Sequence, residues 1–557
     1  MISNDILSWY ESGLPLYERK RRGHFSTPPL LIGQILEACG YKPEEDLRHL
    51  RVIDPACGSG NFLAQVVQRL LAYGRKVGLS DQDLLETIEH NVWGFDPDPV
   101  SCFLAEMHLY ALLTTAHLLP TASCREVPRL HIHQADGLTF PWRQCQNVDI
   151  FLANPPYLAA KNNDLSGYRS ARQRGQADSY LFFIELALQI VRPGGWIALV
   201  LPDSVLARVN ATQERQRLLQ ETTIHQLWHL ANVFPAYVGA VVIVAQKRPP
   251  ARLHQVAWLR GQWKHNTSGL VGIVPAVLER YAVLDRYVPR DEYTVAGHVK
   301  SIAQALLSAQ PAAELRYLLS NMQGTLIASL YEQLYASPTD ERFVRLSQLV
   351  LIRRGEELRK DSRLLHEQCP VDGHDCYPVL RGGVDVRPYG TPIGPCCIER
   401  SGVEKPLVRY QAPKLLVVKS TDRLQAALDV HGHVVLQTLY TLTLRGHEKQ
   451  DLDDLYFLLA LLNSRLLRTY VYVLYTAYKW IQPQIEQHVL AHLPIPAIAH
   501  SERECIIQRA RALQRACDTL APVVELRQRE LYEEQERAIC SLYEAALQKV
   551  PVLLHPL

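Results

Sequence analysis

The stretch "LRVIDPACGSGNF", residues 50–62, decides how the first half of the chain is read. Val52 and Ile53 make a short buried strand that ends on Asp54. Gly58 and Gly60 then turn the chain into a helix, "FLAQVVQRLLAYGRK" at 62–76. Glycines between a strand and a helix let backbone approach a ligand closely and set a helix N-terminus against it. The pattern is neither GxGxxG with a downstream ribose acid nor GxxxxGK[ST], which weakens dinucleotide and nucleoside-triphosphate readings. A tight packing turn is the plainer alternative.

Working outward, strands and helices alternate. A helix is expected over "PLLIGQILEAC" (29–39) and another over 82–90, followed by the strand "NVWGFDPDP" (91–99) and a helix over 98–117. Then come "LHIHQADGLTF" (130–140), "VDIFLANPPY" (148–157), a helix over 179–191 and "WIALVLP" (196–202). "HQLWHLANVFPAYVGAVVIVAQK" (225–247) adds two strand-like runs. This alternation predicts an α/β fold, a Rossmann-like doubly wound domain with a mostly parallel sheet, over residues 1–250. Residues 251–340 read as a helical connecting region, 341–500 as a mixed α+β domain with short β-like runs and following helices, and 501–557 as a C-terminal helical segment.

The 557 residues suffice for about two to four domains. With 47% hydrophobic and 21% charged residues, the chain reads as an ordinary folded protein with a large core. Net charge is only +2, so a nucleic-acid partner would need local basic surface. "ERKRR" (18–22), "RSARQR" (169–174) and "LIRRGEELRKDSR" (351–363) offer it, although each alone is equally a solvated face. The twelve cysteines read as reduced thiols. His366, Cys369, His374, Cys376, Cys396 and Cys397 cluster in sequence without the paired CxxC spacing of structural zinc sites, so no metal is expected. No secretory leader is recognisable at the N-terminus, so a cytoplasmic location is expected. The apolar run 455–475 is interrupted by Asn463, Ser464, Arg465 and Arg468 and reads as a buried helix, with no membrane partner.

Three strands in succession end in acids: Asp54, Asp96 and Asp136-Gly137. Asp96, at the tip of the second strand, suits ribose hydroxyls, and Asp136 suits an adenine amino group. Each could instead cap a helix, but the ordered series is harder to dismiss. The fourth strand runs into Asn154-Pro155-Pro156-Tyr157, where two prolines stiffen a shelf of carbonyls between an amide and a phenol. Such a shelf suits a flat substrate group that donates hydrogen bonds.

Together these residues resemble the S-adenosylmethionine-dependent amino-methyltransferases of DNA. The likeness is to the gamma-ordered N6-adenine class with an NPPY motif and a TaqI-like C-terminal specificity domain, a family of restriction–modification methylases. The order "GHFSTPPLLIGQIL" (23–36), "DPACGSG", "GFDPDP", "ADGL", "NPPY", "PGGWIALVLP" (193–202) and "NVFPAYVGAVVIVAQK" (232–247) matches that class. "PVLRGGVDVRPYG", "PKLLVVKSTDRL", "LLNSRLL" and "HLPIP" resemble its recognition domain more diffusely. The resemblance implies S-adenosylmethionine in a pocket of Thr27, Pro28, Asp54, Pro55, Ala56, Gly58, Gly60, Asp96, Asp136 and Gly137. It makes Asn154, Pro155, Pro156 and Tyr157 catalytic.

An adenine N6 amine is a poor nucleophile, because its lone pair is delocalised. Asn154 Oδ1 and the Pro155 carbonyl would accept its two protons, and Tyr157 would stack on a base flipped out of double-stranded DNA. By the same resemblance Phe234 would stack on that base, while a core aromatic is an equal reading. Arg353, Arg354, Arg381 and Arg387 are candidate DNA contacts, though each taken singly reads as a surface or structural arginine.

Other functions stay open at this point. N4-cytosine or protein-glutamine methylation needs the same grip on a planar amine or amide. A non-catalytic or partner-dependent DNA-recognition subunit would keep the fold without the reaction. About twenty residues precede "RRGHFSTPP", so no fused nuclease is expected. By analogy the partner would be a separate restriction nuclease or defence-system subunits.

Overall fold

Parallel pairing radiates from the strand that ends in Asp54. The computed structural model describes residues 25–119, 128–142, 147–158, 165–168, 178–234, 239–264, 272–275, 300–319, 325–336, 341–358, 362–368, 375–394, 396–446, 451–478, 483–518 and 524–548. They fall into two compact units that divide after Tyr317.

In the first unit, β1 (Val52–Asp54) is flanked by β2 (Val92–Asp96) and β4 (Val148–Ala153), both parallel to it. β3 (His131–Gln134) extends the β2 side, and β5 (Val191–Pro202) extends the β4 side. β6 (Thr223–Ala231) and β7 (Ala240–Gln246) follow, with β7 antiparallel between β5 and β6. Strand order therefore reverses between β1 and β4. Ligands of open α/β sheets bind at such a crevice, beyond the carboxyl ends of the strands.

The helices follow from local sequence. In α1 (Pro29–Ala38) a proline opens the first turn. α2 (Asn61–Val77) starts from Gly60 at φ 83° and closes on Gly78 at φ 73°, with Arg75 and Lys76 in its last turn. Ser80 caps α3 (Asp81–Asn91), and Asp98 caps α4 (Pro99–Thr115). α5 (Ser179–Ile190) and α6 (Thr212–Glu221) complete the described helices of ten residues or more in this unit. Leu31, Ile35, Val66, Leu70, Val200 and Val242 share one core in which α1 and α2 pack on the sheet.

The doubly wound reading holds, but residues 255–264, placed by sequence in a helical connecting region, form a strand. Gln255–Lys264 forms β8, parallel to β6, while β9 (Gly272–Pro275) and β10 (Lys300–Ala303) pair antiparallel with β8. Val256, Trp258 and Arg260 alternate inward at 0%, 2% and 6% exposure, the period of a strand. Pairing there satisfies the backbone groups that β6 would otherwise leave at a sheet edge.

The second unit contains two four-stranded sheets. One has the order β12 (Val350–Arg354), β19 (Leu439–Leu444), β16 (Lys414–Val418), β17 (Ala426–Asp429). The other runs β13 (Leu365–His366), β15 (Cys397–Glu399), β14 (Cys376–Leu380), β18 (Val434–Val435). The "PIP" of 494–496 forms a strand, β20, against β11 (Phe343–Arg345). Proline is tolerated in a two-stranded edge.

The described helices of ten residues or more in this unit are α7 (Leu326–Ala336), α8 (Leu452–Asn463), α9 (Arg465–Leu474), α10 (His500–Asp518) and α11 (Val524–Gln548). The C-terminal helical segment read over 501–557 is described as α10 and α11. No single described helix is long and apolar enough to cross a membrane. α8 and the segment from Arg465 to Tyr478 together have the length and composition, but they bend by 54° at Ser464, whose hydroxyl accepts from Leu467 N at 3.2 Å. Their apolar residues are buried in this unit.

Reduced thiols throughout were expected, yet Cys397 is disulfide-bonded. Cys376 and Cys396 are free, and His366 Nε2 lies 2.9 Å from Glu399 Oε1. Cys369 and His374 lie outside the described residues.

Candidate active site

A cavity of about 360 Å³ opens at the carboxyl ends of β1, β2 and β4. Of the residues predicted from sequence, Thr27, Asp54, Pro55, Ala56, Gly58, Asp96, Asp136, Gly137, Asn154 and Pro156 line it. Pro28, Gly60, Pro155, Tyr157 and Phe234 do not. Pro28 and Gly60 act one step behind the wall. Pro28 O accepts from Ile32 N at 3.1 Å to start α1. Gly60 turns the loop where a Cβ would meet Ala105 Cβ at 3.0 Å.

The three strand-tip acids differ in what they already hold. Asp54 is 1% exposed and accepts from Ala56 N at 3.1 Å. Burial pushes its carboxyl up to about 8, and the nearby Asp96 charge adds to the rise. Asp96 ties the glycine loop to β2: Oδ2 accepts from Gly58 N at 3.1 Å, and Oδ1 from Asp98 N at 2.9 Å. Asp136 Oδ1 accepts from Leu138 N at 2.9 Å, and Oδ2 accepts from the Tyr168 hydroxyl. Burial and this carboxylate push the Tyr168 hydroxyl up to about 12. Gly137 has no room for a side chain, because a Cβ there would fall 2.1 Å from Pro55 O. That close approach forms the cavity floor.

At the other end stands the fourth strand's tip. Asn154 Nδ2 donates to Phe25 O at 2.7 Å, which fixes the amide and turns Oδ1 into the presented acceptor. Tyr157 Oη donates to Asn154 Oδ1 at 3.1 Å and lies 3.2 Å from Val200 O. In this structure Tyr157 therefore buttresses Asn154, where base stacking was expected. The shelf after it is clamped to α5: Leu158 N donates to Ser179 Oγ at 2.9 Å, and that hydroxyl donates to Pro156 O. Phe234 is 4% exposed, packed at ring-centroid distances of 6.0 Å from Phe25 and 6.5 Å from Tyr157. It is a core aromatic here, because Phe25 and Tyr157 cover it.

Sequence reading missed Phe25, Ser59, Tyr168, Ser179 and Phe183, which also line the cavity. Ser59 sits inside the quoted glycine loop and could have been found there. Tyr168 and Ser179 stand in no recognisable pattern; only folding brings Tyr168 to Asp136 and Ser179 to the NPPY shelf.

The wall chemistry selects a ligand. Thr27 Oγ1 and Ser59 Oγ are buried on the cavity wall without a partner among the described residues. A would-be Cβ at Gly58 meets open space, so backbone is accessible there. Three carboxyl groups within one cavity repel phosphates and favour a cation carrying hydroxyls and an amine. S-adenosylmethionine has all three features, so the residues present fit it.

The relationship to known proteins agrees with this chemistry. The profile described as N-6 DNA Methylase matches residues 3–262, and that of the TaqI-like C-terminal specificity domain matches residues 393–495. Residues 3–262, just under half of the chain, thus resemble the N-6 DNA methylase family. Type II methyltransferase M.VspI of Vibrio sp. (strain 343) is 23% identical over 266 residues, 46% of this chain and 56% of that protein. Type II methyltransferase M.PaeR7I of Pseudomonas aeruginosa is 30% identical over 190 residues, 33% of this chain and 32% of its own. The chain thus spans 56% or less of the length of these curated relatives. Among solved structures, the Type IIL restriction–modification enzyme MmeI in complex with DNA shares the fold. Its TM-score is 0.60 at 13% identity, covering 98% of this chain and 79% of the other.

The four arginines proposed for DNA lie in the second unit. Arg354 is committed elsewhere, since it donates to Gln437 Oε1 at 2.9 Å and pairs with Glu357 at 3.1 Å. It is structural in this conformation. Arg353 is half-buried on β12, Arg381 is half-buried and Arg387 is exposed.

Proposed function

We propose that this chain is a site-specific DNA methyltransferase that acts on the N6 amino group of a flipped-out adenine, with S-adenosylmethionine as methyl donor. The observation that carries the reading is the fixed Asn154 carboxamide, which shares one cavity with the three strand-tip acids. A donor-acceptor pair placed this way serves an exocyclic amine at one end and a cationic nucleoside at the other.

S-adenosylmethionine supplies a methyl group on a sulfonium, which leaves as a neutral thioether. Asp54, Asp96 and Asp136 would hold its cationic, ribose and adenine parts in turn, and Thr27 and Ser59 would give it the two unpartnered hydroxyls. Asn154 Oδ1 keeps a lone pair beyond its bond from Tyr157 and would accept one amino proton, with the Pro155 carbonyl taking the other. These two acceptors return the delocalised pair to nitrogen and stabilise the positive charge that develops there. The nitrogen–carbon bond forms as the carbon–sulfur bond breaks. A proton on the methylated nitrogen then leaves to water, because an amide is too weak a base to keep it.

Residues 341–500, which contain the TaqI-like match, are read as the part that recognises the DNA sequence. Duplex DNA is the proposed partner, with a separate restriction nuclease or defence-system subunits beside it, in the cytoplasm on the nucleoid. The test is single-molecule sequencing of DNA from a methylation-free host that expresses this chain, next to an Asn154→Ala control. N6-methyladenine at one short motif, absent in the control, is the expected result. Soluble protein that binds S-adenosylmethionine yet leaves no modified base would overturn the reading.

A further inference from the structure

Among the described residues of the second unit, Val384 and Ile393 are the most exposed large apolar side chains. Val384 is 88% exposed and Ile393 is 76% exposed. A single exposed valine is ordinary. Here the two come from adjacent loops, because the Cβ position of Gly394 lies 3.9 Å from Asp385 Cγ.

The turn that carries Val384 is held rigidly. Arg381 N donates to Asp385 Oδ2 at 2.6 Å, and Asp385 N donates to Gly382 O at 3.0 Å. The Thr438 hydroxyl donates to Arg381 O from beneath. Val379 and Leu380 before the turn and Val386 after it are locked in the core with Val434 and Val435. Order of this kind is needed at a tip that must present its side chain in one place.

Arg381 and Arg387 bracket the turn. Among the described residues neither guanidinium forms an ion pair, a state they share with Arg353 and Arg409 of the same unit. A rigid apolar tip between two unpaired guanidiniums matches the surface of a duplex, with phosphates at either side and an apolar base edge between them. The thymine 5-methyl is the apolar group that a base edge offers.

We infer that Val384 and Ile393 form a reading knob that contacts a thymine methyl in the target sequence, with Arg381 and Arg387 on the flanking phosphates. This rests on the DNA-methyltransferase reading above. It goes beyond it by naming the side chains that read one base and the chemical group they read.

The test uses the full chain and a set of duplexes that carry its methylation motif, each with one thymine replaced by uracil, which lacks the methyl group. For the wild-type protein, one such replacement should lower kcat/KM several-fold. The Val384→Ser, Ile393→Ser double variant should lose roughly tenfold on the unmodified duplex and should be indifferent to the same replacement. Both substitutions are on exposed side chains, so melting temperature and S-adenosylmethionine binding should be unchanged. A double variant with wild-type kcat/KM, or one that stays as sensitive to uracil as the wild type, would overturn the inference and leave the enzyme reading intact. A variant that keeps rate and motif but loses a co-purifying protein would assign the knob to a protein contact and overturn it as well. Wild-type protein that neither binds nor methylates any duplex would overturn the enzyme reading itself.

Discussion

Replacing Asp54 by Asn should make the free protein more stable and should weaken its hold on the ligand. Asp54 is 1% exposed, with one backbone donor on its carboxyl and Asp96 close by. Its folded-state value of about 8 stands above the ordinary 3.8, so the folded protein keeps a proton that the unfolded chain gives up. The folded state then binds more protons than the unfolded one, and stability falls as pH rises between those two values. The slope is about 1.4 kcal/mol per pH unit, so the penalty at pH 7 is about 4 kcal/mol at most. Asparagine has no charge to bury and escapes the penalty. Its stabilising effect should be small near pH 4, grow with pH and level off above pH 8.

Between pH 5.5 and pH 8 the advantage of Asp54→Asn should increase by roughly 3 kcal/mol, a shift of several degrees in the melting midpoint of a unit this size. Thermal melts of both proteins at the two pH values read this directly, since every titrating group not coupled to Asp54 is shared and cancels. Binding of S-adenosylmethionine by the variant should weaken several-fold, because an amide cannot release a proton to become the anion that a cationic ligand favours at this position. A melting difference that is the same at pH 5.5 and pH 8 would refute the argument that this carboxyl is held neutral by burial.

Other consequences are equally concrete. Gly137→Ala places a Cβ 2.1 Å from Pro55 O, so the cavity floor must move, and calorimetry should show at least a tenfold loss of S-adenosylmethionine affinity. Tyr157→Phe removes the hydroxyl that steadies Asn154 Oδ1, worth about 1 kcal/mol. Steady-state kinetics should show a several-fold fall in kcat with the KM for S-adenosylmethionine unchanged. In the second unit, Lys414 and Asp429 are a fully buried pair at 2.5 Å. Lys414→Met leaves that carboxylate without its cation, and urea unfolding should show a loss of about 3–5 kcal/mol.

What the sequence alone determined is what short-range patterns can encode. The strand before Asp54, the glycine turn, the helix after it and the run of acids at successive strand tips each depend on residues within a few positions of one another. Alternating periods of strand and helix then admit few topologies, so the doubly wound sheet and its ligand crevice were legible. The NPPY shelf was legible for the same reason, since prolines restrict the backbone wherever they stand.

Only the tertiary structure decided how those pieces meet. The Asn154 amide is oriented by Phe25 O, a residue 129 positions away, and Asp136 is met by Tyr168 from a loop 32 positions on. Phe234 could stack on a base or fill a core by sequence, and packing between Phe25 and Tyr157 puts it in the core. Residues 255–264 read as helical and became a strand because a sheet edge beside them had unpaired backbone groups to offer. Each of these outcomes is a competition between contacts distant in sequence. A one-dimensional pattern records which groups are available to compete, and the folded chain settles which of them come within hydrogen-bonding and packing distance.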